Sequence, residues 1–274
     1  MRRILFKGFV TVFFSVLTGA AGAQTLSSGT KKPVVKKPNP LTREISGGLR
    51  LNTDGWSVFV DRGSIRSQES KLHDQLFSVR LIQLELIEHK DPKETKRSVT
   101  DNTPNGGTEK TKPFVFGKIN NFYALKLGYG LRKLIAGKPE PGTVSIHWVM
   151  AGGLSLGMEK PYYLDGYVPQ DNFGTLVPAT FKYTDSTRES FLTEPYIRGS
   201  AGFAKGLGEI QFVPGIHAKT ALHFDFAASK KTVMAVETGM NIEYYTRGIV
   251  IMANQDVKPI FFNLYAALQF GRRK

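Results

Sequence analysis

The stretch IFFNLYAALQF, residues 260–270, decides the fold. Its even positions are Ile260, Phe262, Leu264, Ala266, Leu268 and Phe270, whereas the odd positions include Asn263, Tyr265, Ala267 and Gln269. Strict alternation over this length is the signature of a β-strand with one apolar and one polar face. The same pattern recurs upstream. In 233–245 Met234, Val236, Met240 and Ile242 alternate with Glu237, Gly239, Asn241 and Glu243. In 215–227 Ile216, Leu222, Phe224 and Phe226 alternate with His217, Lys219, His223 and Asp225. In 143–157 Val144, Ile146, Trp148, Met150, Leu154 and Leu156 alternate with Ser145, His147, Gly153 and Ser155.

Ordinary strands run about 5–6 residues, whereas a tilted strand crossing a bilayer needs about 9–11. These segments reach the second length. Their polar faces mix Gly, Ala and Ser with charges of both signs, which suits the tight interior of a small membrane barrel. A soluble barrel would show the same alternation with its faces exchanged, and would carry more Lys and Glu and fewer small residues outside. The reading is therefore all-β: a closed antiparallel transmembrane β-barrel of about eight strands with two long polar loops. The expected strands are 48–60, 75–88, 121–133, 143–157, 195–204, 214–227, 232–246 and 259–270. Leu49–Val60 and Leu76–Glu88 change phase part-way, which a β-bulge would explain. The inserts 89–120 and 158–194 are polar and rich in turn formers, so they are expected to lie in water.

Outside the barrel, Met1–Ala23 has the anatomy of a secretory signal peptide. Arg2, Arg3 and Lys7 precede a short apolar run, and Ala21-Gly22-Ala23 supplies the small residues before the cut. The apolar run falls short of the ~20 residues of a spanning helix. Residues 24–44 form a basic, Pro-rich linker, and 45–274 the barrel. No Cys occurs in the 274 residues, which excludes disulfides, cysteine-ligated zinc, iron–sulfur clusters and a cysteine nucleophile. Much of the net charge of +14 sits in the leader, the linker lysines and Arg272-Arg273-Lys274. Those read as tails rather than a basic stripe interleaved with aromatics, so nucleic acid is not an expected partner. Anionic lipid head groups are the better match.

The pairing of the last hairpins can also be read. Joining 214–227 to 232–246 through Ser229-Lys230-Lys231 with polar faces together makes paired numbers sum to 460, so His223 opposes Glu237, Lys219 opposes Asn241 and His217 opposes Glu243. A lumen network of His147, His217, Lys219, His223, Asp225, Glu237, Asn241 and Glu243 follows, with two His–Glu pairs. Ser145 and Ser155 share the parity of His147, so a Ser–His–acid hydrolase is the chemical alternative. Cross-strand ion pairs filling a narrow lumen are the simpler explanation, because unpaired buried charges are costly. His217 and His223 lie ~20 Å apart along one strand and cannot share a metal, and no metal site or cofactor is expected. Gly128-x-Gly130 and Gly206-x-Gly208 lack the ending of a phosphate loop. Trp148, Tyr162, Tyr163 and Tyr167 suit an interfacial belt, or loop packing for the tyrosines.

The strings FVFGKINNFYALKLGYGLRKLIAGKP (114–139), SIHWVMAGGLSLGMEKPYYL (145–164), GFAKGLGEIQFVPGIHAKTALHFDF (202–226) and FFNLYAALQFGRRK (261–274) together resemble a family of uncharacterised outer-membrane β-barrel proteins common in Bacteroidetes. The resemblance implies outer-membrane location, periplasmic termini and assembly by the barrel-insertion machinery. Many such barrels end on an aromatic residue, whereas here Phe270 is followed by Gly271-Arg272-Arg273-Lys274. The expected function is that of a structural, adhesion or accessory protein of the outer membrane. An envelope partner would be met through 89–120 or 158–194. A lipid hydrolase or acyltransferase and a narrow channel or small-ligand transporter are the alternatives.

Overall fold

A computed structural model describes residues 41–65, 78–98, 100–102, 108–110, 112–137, 142–169, 175–226, 229, 231–253 and 257–274. The expected signal peptide and the linker up to residue 40 lie outside the described residues. Eight strands close into an antiparallel barrel: β1 (Arg43–Asn52), β2 (Gly55–Ile65), β3 (Ser78–His89), β4 (Asn120–Ala136), β5 (Ser145–Pro161), β6 (Gln211–Asp225), β7 (Thr232–Ile249) and β8 (Lys258–Arg273). Each strand pairs with its sequence neighbours, and β8 pairs back with β1. No sheet edge is left open within the barrel, as a span through hydrocarbon requires.

The pairing circuit fixes the geometry. Starting at Arg272 it runs through Ile45, Arg62, Ile82, Tyr129, Gly152, Ala218 and Ile242 and returns to β8 at Phe262, ten residues from its start. Ten residues of stagger over eight strands give a strand tilt of about 40° at ~3.4 Å per residue and ~4.8 Å between strands. The side chains sort as the alternation requires. Leu49, Val60, Leu127, Leu154, Ile216, Ile242, Phe262, Leu264 and Leu268 all point outward and are exposed, whereas Glu85, His147, Glu237 and Gln269 are buried inside. A surface this apolar, closed on itself around a charged centre, is that of a transmembrane barrel.

Three expected features differ. The segment 48–60 is not one strand but the hairpin of β1 and β2, turning through Thr53-Asp54 with Asn52 opposite Gly55. The phase change there is a two-residue turn. Gly55 closes it with φ +152°, and a Cβ would stand 1.9 Å from the Glu88 carbonyl oxygen. No bulge interrupts β3 either: its pairing with β2 and β4 is continuous. Its apparent phase change came from Val79, Leu81 and Ile87, apolar residues that face inward beside Gln83 and Glu85. Finally, 195–204 is not a barrel strand. Only Ile197–Ser200 is extended, and it pairs with Tyr163–Pro169 outside the barrel.

That small sheet belongs to the inserts. β3 and β5 both run away from the terminal end, so 89–120 and 158–194 emerge together at the opposite rim. They do not merely lie in water. Tyr163–Pro169 pairs with Leu176–Lys182 on one side and Ile197–Ser200 on the other. Phe114, Leu164, Phe181, Phe191 and Ile197 form a separate buried cluster, with Tyr162 packed against it. Phe114 from the first insert thus joins the core of the second, making one cap. The other rim has the connections 137–144 and 226–231, together with 66–77, which lies outside the described residues. No helix among the described residues is long and apolar enough to cross a membrane.

Candidate functional site: the charged lumen

Inward parity on every strand delivers polar groups to the axis, and the structure stacks them in layers. In the layer nearest the termini, Glu44 on β1 accepts hydrogen bonds from Arg132 Nη2 on β4 at 2.6 and 2.7 Å and from Arg273 Nε on β8 at 2.8 Å. Arg273 also pairs with Asp225. β1 and β4 are not neighbours, so the Glu44–Arg132 contact is a strut across the barrel.

The middle layer centres on Arg50, which is 1% exposed. It donates to Glu85 at 2.7 Å and lies 3.6 Å from Glu237, with its guanidinium 4.1 Å from the Tyr265 ring centre. Lys219 reaches Glu237 at 3.3 Å, and Tyr265 donates to Glu237 at 2.8 Å. Gln83 and Gln269 both donate to Asp61, at 2.6 and 3.0 Å.

In the upper layer Glu243 gathers four partners: Lys126 at 2.9 Å, Asn241 and Tyr245 at 2.6 Å each, and His89 at 3.2 Å. His89 is held from its other ring nitrogen by Asp54 at 2.7 Å. Above this, the rings of His89, Phe122, Tyr245 and Phe261 pack with centres 4.9–5.9 Å apart. They form an aromatic layer at the cap end of the lumen.

All eight expected lumen residues, His147, His217, Lys219, His223, Asp225, Glu237, Asn241 and Glu243, are buried within the barrel. The register is the expected one, with His223 opposite Glu237, Lys219 opposite Asn241 and His217 opposite Glu243. Contacts follow the register only in part. His223 Nδ1 lies 3.3 Å from Glu237 Oε2. His217 does not pair with Glu243, whose oxygens are taken by the four donors above. Its Nδ1 sits instead 3.0 Å from Ser155 Oγ. Gly128 makes room for that ring, since a Cβ there would stand 3.1 Å from His217 Nε2. His147 is opposite His223, with ring centres 5.9 Å apart. No carboxylate among the described residues hydrogen-bonds His217, so a Ser–His contact exists without the acid that would orient it. Ser155 and His217 are 5% and 7% exposed.

The alternation missed half of the network: Glu44, Arg50, Asp61, Glu85, His89, Lys126, Arg132 and Arg273. Lys126 and Arg132 stood on the polar parity of 122–132 and could have been found there. Arg273 counted as tail charge, yet β8 continues to it and turns it inward while Arg272 points out. Trp148 does lie on the outer face at the rim nearer the termini, donating from Nε1 to Thr220 Oγ1 at 2.8 Å. Tyr162 belongs to the cap, where its hydroxyl accepts from the Val115 N–H. Outside the membrane span, Glu209 accepts from Lys182 and Tyr163; these hydrogen bonds, chiefly that from Lys182, lower its pKa.

No protein-family profile and no curated protein matches this chain. Among solved structures it is similar to Neisserial surface protein A, at 9% identity over 86% of this chain and 96% of that one, TM-score 0.35. It is likewise similar to the N-terminal β-barrel domain of Pseudomonas aeruginosa OprF, at 8% identity over 85% and 97%, TM-score 0.35. The attachment invasion locus protein Ail of Yersinia pestis matches at 8% identity over 85% and 99%, TM-score 0.37.

Proposed function

We propose that this chain is an outer-membrane barrel of structural, adhesion or accessory type, of the Bacteroidetes kind its strings resemble, whose role is to hold its cap at one membrane face. The observation that carries this reading is the filled axis. Three layers of ion pairs and an aromatic plug occupy the lumen, and among the described residues the folded elaboration stands at one rim. Periplasmic termini would put the cap, built from 89–120 and 158–194, on the cell exterior, where an envelope or host partner would meet it. Insertion by the barrel-assembly machinery goes with that orientation. The test has two arms. Purified protein in planar bilayers should give no stepwise conductance, and protease added to intact cells should cut the cap. Steady channel opening would overturn the sealed reading, and a cap reached only after the outer membrane is permeabilised would overturn the orientation.

The Ser155–His217 contact favours one second reading, a lipid hydrolase. Its serine lies behind the barrel wall, away from any lipid ester. A fluorophosphonate should therefore leave Ser155 unlabelled; labelling abolished by Ser155→Ala would reinstate the enzyme.

A further inference from the structure

The outer face near the termini is not uniform. Arg43, Arg62, Arg80, Lys133 and Arg272 all point outward and are exposed. They lie on β1, β2, β3, β4 and β8, which are consecutive around the barrel. Arg272 is opposite Ile45, Ile45 is opposite Arg62, and Arg80 is opposite Leu131. With a rise of ~3.4 Å per residue and a tilt of about 40°, the five sit in a band about 10 Å deep. Farther round the same rim Trp148, Phe226, Met234 and Phe270 are exposed on the barrel wall, and Lys231 is exposed in the turn between β6 and β7. Among the described residues no Asp or Glu side chain lies on this rim's outer face. Among the described residues, the carboxylates outside the lumen are at the cap end.

A cation at the edge of a lipid-facing belt is costly unless its head reaches phosphate. Arg62 is flanked across the strands by Ile45 and Ile82, both exposed apolar side chains. A groove of about 620 Å³ starts beside this crescent. Tyr129 and Leu131 form its near wall, Gly152 and Ala218 its floor, and Met240 and Ile242 its far side. Leu131 is the cross-strand neighbour of Arg80. The tilt carries the groove upward from the cations into the apolar belt, the path of an acyl chain leaving a head group.

We infer that this crescent and groove form a binding site for an anionic glycerophospholipid, with the phosphate on Arg62 and Arg80 and one acyl chain in the groove. The site rests on the membrane reading above. Guanidinium groups bind phosphate through paired N–H donors. An anionic head group leaves that charge uncompensated, whereas phosphatidylcholine brings its own ammonium. The site therefore discriminates between the two.

The two tryptophans of the chain, Trp56 and Trp148, supply the test. Trp148 is opposite Lys133 at the crescent's end, whereas Trp56 lies near the other rim beside Glu88. The full-length protein carrying Trp56→Phe is reconstituted into phosphatidylcholine vesicles. Brominated phosphatidylglycerol or brominated phosphatidylcholine is then titrated in while Trp148 emission is read. Brominated phosphatidylglycerol should bind about fivefold better, the factor one Lys or Arg contributes beside anionic lipid. Arg62→Gln with Arg80→Gln should bring the ratio to one. If that variant fails to insert, molar salt on the parent protein should do the same, since screening is then within ~3 Å. A parental ratio of one, or an equal preference at Trp56 in a Trp148→Phe protein, would overturn the site while quenching by both lipids upheld the membrane reading. Quenching by neither lipid would overturn the membrane reading itself.

Discussion

Replacing Glu44 with leucine should destabilise the barrel by about 3–5 kcal/mol, the cost of removing one member of a buried ion pair. The structure says why the loss falls near the top of the usual range for single substitutions. Glu44 is fully buried and accepts three charge-assisted hydrogen bonds, two from Arg132 and one from Arg273. Arg273 keeps Asp225 after the change. Arg132 keeps no carboxylate within ion-pair distance among the described residues, and its side chain is 2% exposed. Most of the cost is therefore one stranded guanidinium. Removing that too, as Glu44→Leu with Arg132→Met, should return most of the stability and leave a deficit of about 0–2 kcal/mol. Urea unfolding of the vesicle-inserted protein, followed by tryptophan emission, measures all four corners of the cycle. The reasoning fails if the double variant is as unstable as the single one, because the strut would then not be an isolated pair. It also fails if Glu44→Leu alone costs under about 1 kcal/mol, which would mean water reaches Arg132.

Three further outcomes are expected. Gly55→Ala should cost about 1–3 kcal/mol, because the turn needs a positive φ and a Cβ would meet the Glu88 carbonyl at 1.9 Å; a urea midpoint unchanged from the parent would contradict this. Phe191→Ala empties the centre of the cap cluster, where Phe181 and Tyr183 stack edge-on at 6.3 and 5.5 Å, and should cost the cap about 3–5 kcal/mol. Limited proteolysis should then cut within 162–210 while the barrel stays resistant. The Glu209 carboxyl should titrate below an ordinary glutamate, owing first to the Lys182 hydrogen bond and then to Tyr163. The sign follows: its contribution is complete above the normal carboxylate range and fades as pH falls through the lowered value. Carbon-13 NMR of the side chain reads this directly, and Lys182→Met should move the titration back up.

The parts of the fold that could be read from sequence are those where one period decides everything. β5 to β8 carry large apolar groups on one parity and small or charged ones on the other, so their existence and direction of facing followed from spacing, as did the register of β6 with β7. β1 to β3 were harder for two physical reasons. A two-residue turn reverses parity just as a bulge does, and nothing but Asp54-Gly55 distinguishes them in the string. Inward positions near the ends of a lumen can also be apolar, as Val79, Leu81 and Ile87 are, which blurs the contrast between faces. The total of eight barrel strands came out right although 48–60 hides two of them and 195–204 hides only a cap strand. Contacts within the site were less legible still. Register places residues opposite one another, but Lys126 and His89 reach Glu243 from non-adjacent strands and, with Asn241 and Tyr245, claim the carboxylate that pairing alone would have given to His217.

The charged lumen is better understood as a constraint on register than as a source of stability. Buried ion pairs gain little over well-packed apolar residues of the same volume, so Glu44, Glu85, Glu237 and Glu243 are not needed simply to hold the barrel together. A slip of β7 by one residue, however, would turn Glu237 and Glu243 toward hydrocarbon and Met240 and Ile242 toward Lys126 and Lys219. Both consequences are expensive, one through charge in lipid and the other through cations without partners. An apolar lumen would lose that discrimination, since either face could then meet lipid. The same layers fill the lumen, so the residues that fix the pairing also occupy the axis. What remains free to vary without disturbing either is the cap, which has its own apolar cluster, and the outer rim, where only the head groups of lipids need to be satisfied.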